Sequence, residues 1–194
     1  MGFNSEIFLG DFISGQFVKA PKPTGTFKDI SPADLKDEVM TVSFSHEHVD
    51  QACEAGRKAF LNWARLTLNE RKTYLLRLKE LFESHKEEMT IAICRDTGKS
   101  KWDAMTEAAA LANKIDITLN YSAKLIEEER IQNALPNVDG VIRYKPRGLM
   151  AVLGPFNFPA HLPNGHIIPA LLAGNTILFK PSELTPFEIG RAHV

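Results

Sequence analysis

A chain of 194 residues can bury one good core or two small ones. Its 23 basic and 24 acidic residues leave a net charge of −1, which argues against a nucleic-acid-binding protein. No run of about 18 apolar residues occurs, so no membrane span is expected, and the N-terminus lacks a basic stretch followed by an apolar core, so no secretory leader is expected and the chain is placed in the cytoplasm.

Residues 7–18 read as a hairpin in which Ile7-Phe8-Leu9 and Phe12-Ile13-Ser14 flank the turn signal Gly10-Asp11. Residues 19–32 are rich in proline and are expected to be extended along the surface. Residues 37–45, with Val39, Thr41, Val42 and Phe44, suggest a short strand. Three helices follow. Ser45 is the expected N-cap of the first, which carries Val49, Ala52, Cys53, Ala59, Phe60 and Trp63 at helical spacing. Thr67 and Glu70 make a capping box for the second, expected to run to about Arg95 and to end at Gly98. Ser100 caps the third, which carries Trp102, Met105, Ala109, Ala112, Ile115 and Leu119. Past the charge run 127–130, residues 138–144 alternate like an exposed strand.

The richest stretch is 149–186. Residues 149–153 are an apolar run closed by Gly154-Pro155, residues 162–172 have helical spacing ended by Gly174-Asn175, and residues 176–179 read as a buried strand. This is a βαβ unit, and its two loops leave the carboxyl ends of parallel strands, where open α/β sheets bind ligands. Those loops hold Asn157, Lys180, Ser182 and Glu183. The first loop, Gly154-Pro155-Phe156-Asn157-Phe158-Pro159, lacks the G-x-G-x-x-G fingerprint. An acidic residue just past the second strand can accept hydrogen bonds from both adenosine ribose hydroxyls and would repel a 2′-phosphate, favouring NAD over NADP. On spacing alone Glu183 and Lys180 are equally an exposed pair beside a proline turn. Asn157 either shapes its turn or aims an amide N–H at a ligand oxygen.

The Gly154–Pro159 stretch, followed by Pro169-Ala170-Leu171-Leu172-Ala173-Gly174-Asn175 and Phe179-Lys180-Pro181-Ser182-Glu183, resembles the aldehyde dehydrogenase superfamily. The segment His161-Leu162-Pro163-Asn164-Gly165-His166 is similar to the branch that oxidises N-succinylglutamate 5-semialdehyde in arginine catabolism. The resemblance implies an α/β fold: the N-terminal part of an aldehyde-dehydrogenase-like chain, with an incomplete Rossmann-like NAD-binding domain, a helical layer and oligomerisation strands. It divides the chain into an N-terminal hairpin of the oligomerisation sheet (1–20), a helical layer of the cofactor domain (21–125), an oligomerisation strand (126–147), the first βαβ of the NAD-binding domain (148–188) and a tail (189–194). It implies that the Asn157 amide helps form an oxyanion hole, that Lys180, Ser182 and Glu183 bind NAD with Leu153, Gly154, Pro155 and Phe156 lining the cleft, and that the full-length enzyme is a homo-oligomer that oxidises N-succinyl-L-glutamate 5-semialdehyde, or alternatively another semialdehyde, with NAD. His166 stands where many members carry a lysine, so no role is assigned to it.

Aldehyde oxidation by this route needs a thiol nucleophile. Cys53 and Cys94 both fall on apolar helix stripes, where a cysteine behaves as a small core residue. Neither stands in the family's Gly-Gln-x-Cys context, and the family's Glu-Leu-Gly-Gly base has no match. The six histidines form no metal-ligand spacing, so no metal is expected. The chain is therefore expected to be an inactive N-terminal fragment, poorly soluble and weak for NAD. Its last residues, IGRAHV, are what the common sequencing-adapter stretch ATC GGA AGA GCA CAC GTC encodes in frame, so residues 189–194 are expected not to be biological. Genomic DNA encoding them would overturn that expectation.

Overall fold

The computed structural model describes residues 8–187. In chain order these form β1 (Asp11–Ile13), β2 (Gln16–Val18), β3 (Gly25–Ile30), β4 (Glu38–Phe44), α1 (Glu47–Trp63), α2 (Leu68–Ser84), α3 (Lys86–Thr97), α4 (Lys101–Asn120), a 3₁₀ turn (Ser122–Ile126), β5 (Glu129–Leu135), β6 (Val138–Ile142), β7 (Leu149–Leu153), α5 (His161–Leu172) and β8 (Thr176–Lys180). Among the described residues the strands pair two by two: antiparallel hairpins β1–β2, β3–β4 and β5–β6, and the parallel pair β7–β8 joined through α5. The expected βαβ unit is thus present, and the chain is α/β. Residues 1–7 of the expected N-terminal hairpin unit (1–20), residue 188 of the expected βαβ unit (148–188) and the tail at 189–194 lie outside the described residues.

The hairpin near the N-terminus forms, but around Ser14-Gly15 rather than Gly10-Asp11. Both turn residues have positive φ, 54° and 81°, the geometry a two-residue hairpin loop requires. Asp11 becomes a strand residue instead, and its carboxylate meets Nδ1 of the buried His48 at 2.6 Å, tying the hairpin to α1.

The capping box at Thr67 and Glu70 is formed in both directions, and Ser100 caps α4 by accepting from the Asp103 N–H. The long second helix does not run through to Arg95: it breaks at His85. There His85 leaves the helical conformation, with φ −105° and ψ 15°, while its N–H still donates to the Leu81 carbonyl at 3.0 Å; Ser84 Oγ and His85 Nδ1 each lie 3.0 Å from the same oxygen. The chain restarts as α3, which ends as expected at Gly98, in the left-handed conformation with φ 72°. Ser45 is not the cap of α1. His46 occupies that position, without a side-chain bond, and Ser45 supplies its carbonyl to the His48 N–H. The proline-rich 19–32 segment holds β3, whose Asp29 is buried, so this stretch is not confined to the surface. The charge run 127–130 leads directly into β5, a strand exposed along its whole length.

The main core lies between α2, α3, α4 and α5, where Leu75, Ile93, Leu111, Ile115, Ile168 and Leu172 are almost wholly buried. A smaller cluster of Val39, Met40, Val42 and Ala92 joins α3 to the β3–β4 hairpin. Helix α1 lies against the parallel pair: a Cβ on Gly56 would stand 2.6 Å from Leu149 Cδ1, and the Thr176 hydroxyl donates to the Gly56 carbonyl at 2.9 Å. A side chain at this position would have to displace the end of the Leu149 side chain.

Burial at these sites sets a clear order of effects. Ile115→Ala should destabilise by roughly 2–5 kcal/mol, and Thr67→Ala, which breaks the capping box, by about 1 kcal/mol. Urea unfolding followed by circular dichroism measures both; a smaller loss at Ile115 than at Thr67 would contradict the placement of the core.

Candidate active site at the carboxyl end of the parallel strands

Strands β7 and β8 run in register from Leu149↔Thr176 to Leu153↔Lys180. The Gly154 N–H then donates to the Lys180 carbonyl at 2.9 Å, so pairing continues one residue past β7. Both following loops therefore leave from the same edge. A Cβ on Gly154 would lie 3.0 Å from the Phe179 ring and 3.4 Å from Pro163, so the bare backbone is what lets the first loop sit this close.

That first loop divides by burial. Leu153 is 76% exposed and Phe156 57%, and Asn157 and Phe158 are also exposed, whereas Pro159 and Ala160 are buried. Asn157 thus stands at a rim, its side chain open to a ligand. In the second loop the Lys180 ammonium and the Glu183 carboxylate pair at 2.8 Å, both well exposed. The hydrogen bond from Lys180 holds the Glu183 carboxyl below the usual carboxylate range. Ser182 is buried, and its Oγ accepts the Leu184 N–H at 3.1 Å while its carbonyl accepts from Thr185. Its visible work is to shape the turn that presents Glu183. The structure brings Leu153, Gly154, Pro155, Phe156, Asn157, Lys180 and Glu183 to one edge, as the sequence led one to expect.

Helix α5 is held at both ends by groups distant in sequence. Its N-cap, Ala160, offers no side-chain acceptor. Glu107 of α4 takes the place of one: its Oε1 accepts the N–H groups of Ala160 and His161, each at 3.2 Å. The next donor, Leu162 N–H, goes to the Phe158 carbonyl, Pro163 has no N–H, and Asn164 N–H reaches Ala160, so the first turn is satisfied. The Glu107 side chain is fully buried, and its other oxygen meets Lys99 Nζ at 2.6 Å. Lys99 Nζ also lies 3.6 Å from the centre of the Phe158 ring, a cation–π contact with the residue next to Asn157. At the far end, Trp63 Nε1 donates to the Leu171 carbonyl at 3.0 Å and Arg71 Nε to the Leu172 carbonyl at 2.8 Å. Buried Asn175 closes the unit: Oδ1 accepts from Arg147 and Gly148, at 2.6 and 3.1 Å, and Nδ2 donates to Ala170.

Glu107, Lys99 and Arg71 were not singled out from the sequence, and Asn175 was read only as part of a helix stop and a motif. Glu107 had a signal, because it interrupts the apolar stripe of Ala104, Ala108, Leu111 and Ile115. The cysteines are half-buried on helices. Cys94 packs against the main core and burial pushes its thiol pKa up, the opposite of an activated nucleophile.

Residues 17–191 match the model of the aldehyde dehydrogenase family, and the chain belongs to that family. It is 52% identical over 139 residues to the N-succinylglutamate 5-semialdehyde dehydrogenases of Escherichia coli O9:H4 (strain HS) and of Shigella flexneri. Each alignment covers 72% of this chain and 28% of the relative, so the chain spans less than a third of the length of these curated relatives. Among solved structures, it superposes on an aldehyde dehydrogenase from Brucella melitensis biovar abortus 2308 with a TM-score of 0.87 and 26% identity, covering 95% of this chain and 38% of that one. On a betaine aldehyde dehydrogenase from Staphylococcus aureus in complex with NAD+, the TM-score is 0.86 at 25% identity, over 95% and 37% of the two chains. The fold is the N-terminal part of the aldehyde dehydrogenase fold.

The depressed Glu183 carboxyl gives a direct test of the exposed pair. Lys180→Met should return the Glu183 pKa toward the ordinary carboxylate range in an NMR pH titration of the side-chain carboxyl. Since folding lowers this pKa, whatever stability the pair adds is present above the ordinary carboxylate pKa and is lost as pH falls through the depressed value. An unchanged titration in Lys180→Met would show that the pair does not persist in solution.

Proposed function

We propose that the whole protein to which these residues belong oxidises N-succinyl-L-glutamate 5-semialdehyde to N-succinyl-L-glutamate with NAD. The observation that carries the proposal is the gathering of an exposed amide, Asn157, and an exposed ammonium–carboxylate pair, Lys180–Glu183, at the carboxyl end of two parallel strands in a chain of this family. The substrate rests on the 52% identity to enzymes of that name.

The residues present fit a dinucleotide. Glu183 is ionised and open, a pair of acceptor oxygens suited to a ribose diol, with a donor from Lys180 beside it. A carboxylate at this place disfavours a 2′-phosphate, which selects NAD over NADP. Leu153, Pro155 and Phe156 offer apolar surface along the same edge, and Gly154 lets a ligand approach the backbone. Ser182 contributes through the turn it shapes. When bound, NAD supplies the hydride acceptor.

Asn157 serves the other half of the reaction. As a thiolate adds to the aldehyde carbon, negative charge grows on the carbonyl oxygen, and an amide N–H aimed there stabilises the transition state more than the ground state. Cys53 and Cys94 sit on helix stripes, so the proposal places that thiolate outside the described residues. The exposed β5–β6 hairpin, with Leu135, Val138 and Val141 open, supports a homo-oligomer in which it is covered. A cytoplasmic location completes the reading.

The test uses a protein of full family length that carries this segment. It should reduce NAD in the presence of N-succinyl-L-glutamate 5-semialdehyde, with a higher kcat/KM than for betaine aldehyde. Glu183→Ala should raise KM for NAD more than it lowers kcat and should narrow the preference over NADP. Asn157→Ala should lower kcat by roughly 10²-fold or more while leaving KM for NAD nearly unchanged. An unchanged kcat would remove Asn157 from the chemistry.

A further inference from the structure

We infer that Glu107 is a positioning residue for the reaction: it holds the 154–160 loop, and with it the Asn157 amide, in the catalytically competent shape. The inference rests on the proposed role of Asn157 and deepens it. The entry into α5 carries a deficit. The loop enters α5 through Phe158, Pro159 and Ala160, none of which has a side chain able to cap a helix. Two backbone N–H groups, of Ala160 and His161, would be left without partners at a buried point. One carboxylate oxygen, reaching across from α4, takes both.

The position of that oxygen is itself determined. Glu107 is fully buried, and a carboxylate out of water must be paired. Lys99 supplies the charge at 2.6 Å, and the same ammonium presses on the face of Phe158 at 3.6 Å from the ring centre. The result is a closed bracket around Asn157. Glu107 grips the chain at Ala160 and His161, and Lys99 grips Phe158. The Gly154 N–H, bonded to the Lys180 carbonyl, anchors the loop's other end. Asn157 makes none of these contacts. Its amide is the exposed member of a loop whose neighbours are all restrained, as a preorganised donor requires. A neutral cap such as serine at Ala160 could satisfy the helix end. It would not couple the loop to α4, nor place a cation against Phe158.

The test compares Glu107→Ala, Glu107→Gln, Asn157→Ala and the Glu107→Ala/Asn157→Ala double variant in a protein of full family length carrying this segment. Amide hydrogen exchange reads the loop, and steady-state kinetics reads the catalysis. Glu107→Ala should raise exchange in the 154–162 region about tenfold or more, with the α2 and α3 regions unchanged. It should also lower kcat by about tenfold or more while leaving KM for NAD within about twofold. Glu107→Gln keeps an acceptor oxygen and should recover most of the kcat. The double variant should be no slower than Asn157→Ala alone, since both changes remove the same donor. Unaltered exchange in the loop would overturn the inference, as would kcat losses that multiply in the double variant. Should Asn157→Ala leave kcat unchanged, the oxyanion reading of Asn157 fails and the catalytic part of the inference fails with it, while the exchange measurement still decides whether Glu107 holds the loop. If Glu107→Ala does not fold, Lys99→Met takes its place: loosening and a kcat loss confined to the same region support the inference, and an unaltered loop overturns it.

Discussion

Helix α5 is the member on which the arrangement depends, and its two ends are satisfied by charges brought from other helices. A helix carries partial positive charge at its N-terminus and partial negative charge at its C-terminus. Here an anion, Glu107, meets the first and a cation, Arg71, meets the second. The helix itself has little means of doing this. It begins after Ala160, contains Pro163 and Pro169, and carries no acidic residue in its first turn and no basic residue in its last. Its apolar residues drive it into the core, with Ile168 and Leu172 almost wholly buried. Burial makes the unpaired backbone groups at its ends expensive, and α2 and α4 supply the partners. The helical layer therefore does more than cover a sheet face: it orients the helix that links the two strands bearing the site.

The same logic explains how the parallel pair keeps its register. Asn175 bonds to the backbone at the start of β7 and at the end of α5, so the turn entering β8 is tied to both of its neighbours. Thr176 then ties β8 to α1 through the Gly56 carbonyl. In a two-stranded parallel pair a slip of one residue would exchange the two faces. The bonds of Asn175 and Thr176 oppose that slip, adding to the register set by the ladder itself.

How much of this could be read from the sequence depends on whether the signal was local. The capping box at Thr67–Glu70, the Ser100 cap, the glycine ends of α3 and α5 and the apolar run of β7 all write their chemistry within a few residues, and each was legible. So was the edge that gathers Asn157, Lys180 and Glu183, because the strand–loop pattern fixes where parallel strands end. The break at His85 was not, since apolar spacing runs on through it while the backbone of that one residue turns out of the helical region. The Ser14-Gly15 turn competed with an equally good glycine signal at Gly10, and pairing across the hairpin decided between them. The brackets around α5 were hidden for another reason. Glu107 lies 53 residues from Ala160, and periodicity says only that it is an odd residue in an apolar stripe, not what it grips.

Burial sorts the polar residues of this region by task. Glu107, Asn164 and Asn175 are buried and bond to backbone groups of neighbouring segments, Glu107 also to the Lys99 ammonium; the Asn164 amide, for example, donates to the Leu111 carbonyl at 3.2 Å. Such residues have little left to offer a ligand, and their removal would expose unsatisfied groups in the interior. Asn157, Lys180 and Glu183 are exposed, and the Lys180 and Glu183 side chains remain open to water although they pair with each other. An exposed ion pair adds little to stability, so the fold alone gives no strong reason for a carboxylate and an ammonium to meet there. Shape is held by the buried set and contact is left to the exposed set, which is the division a site needs if binding is to cost little reorganisation.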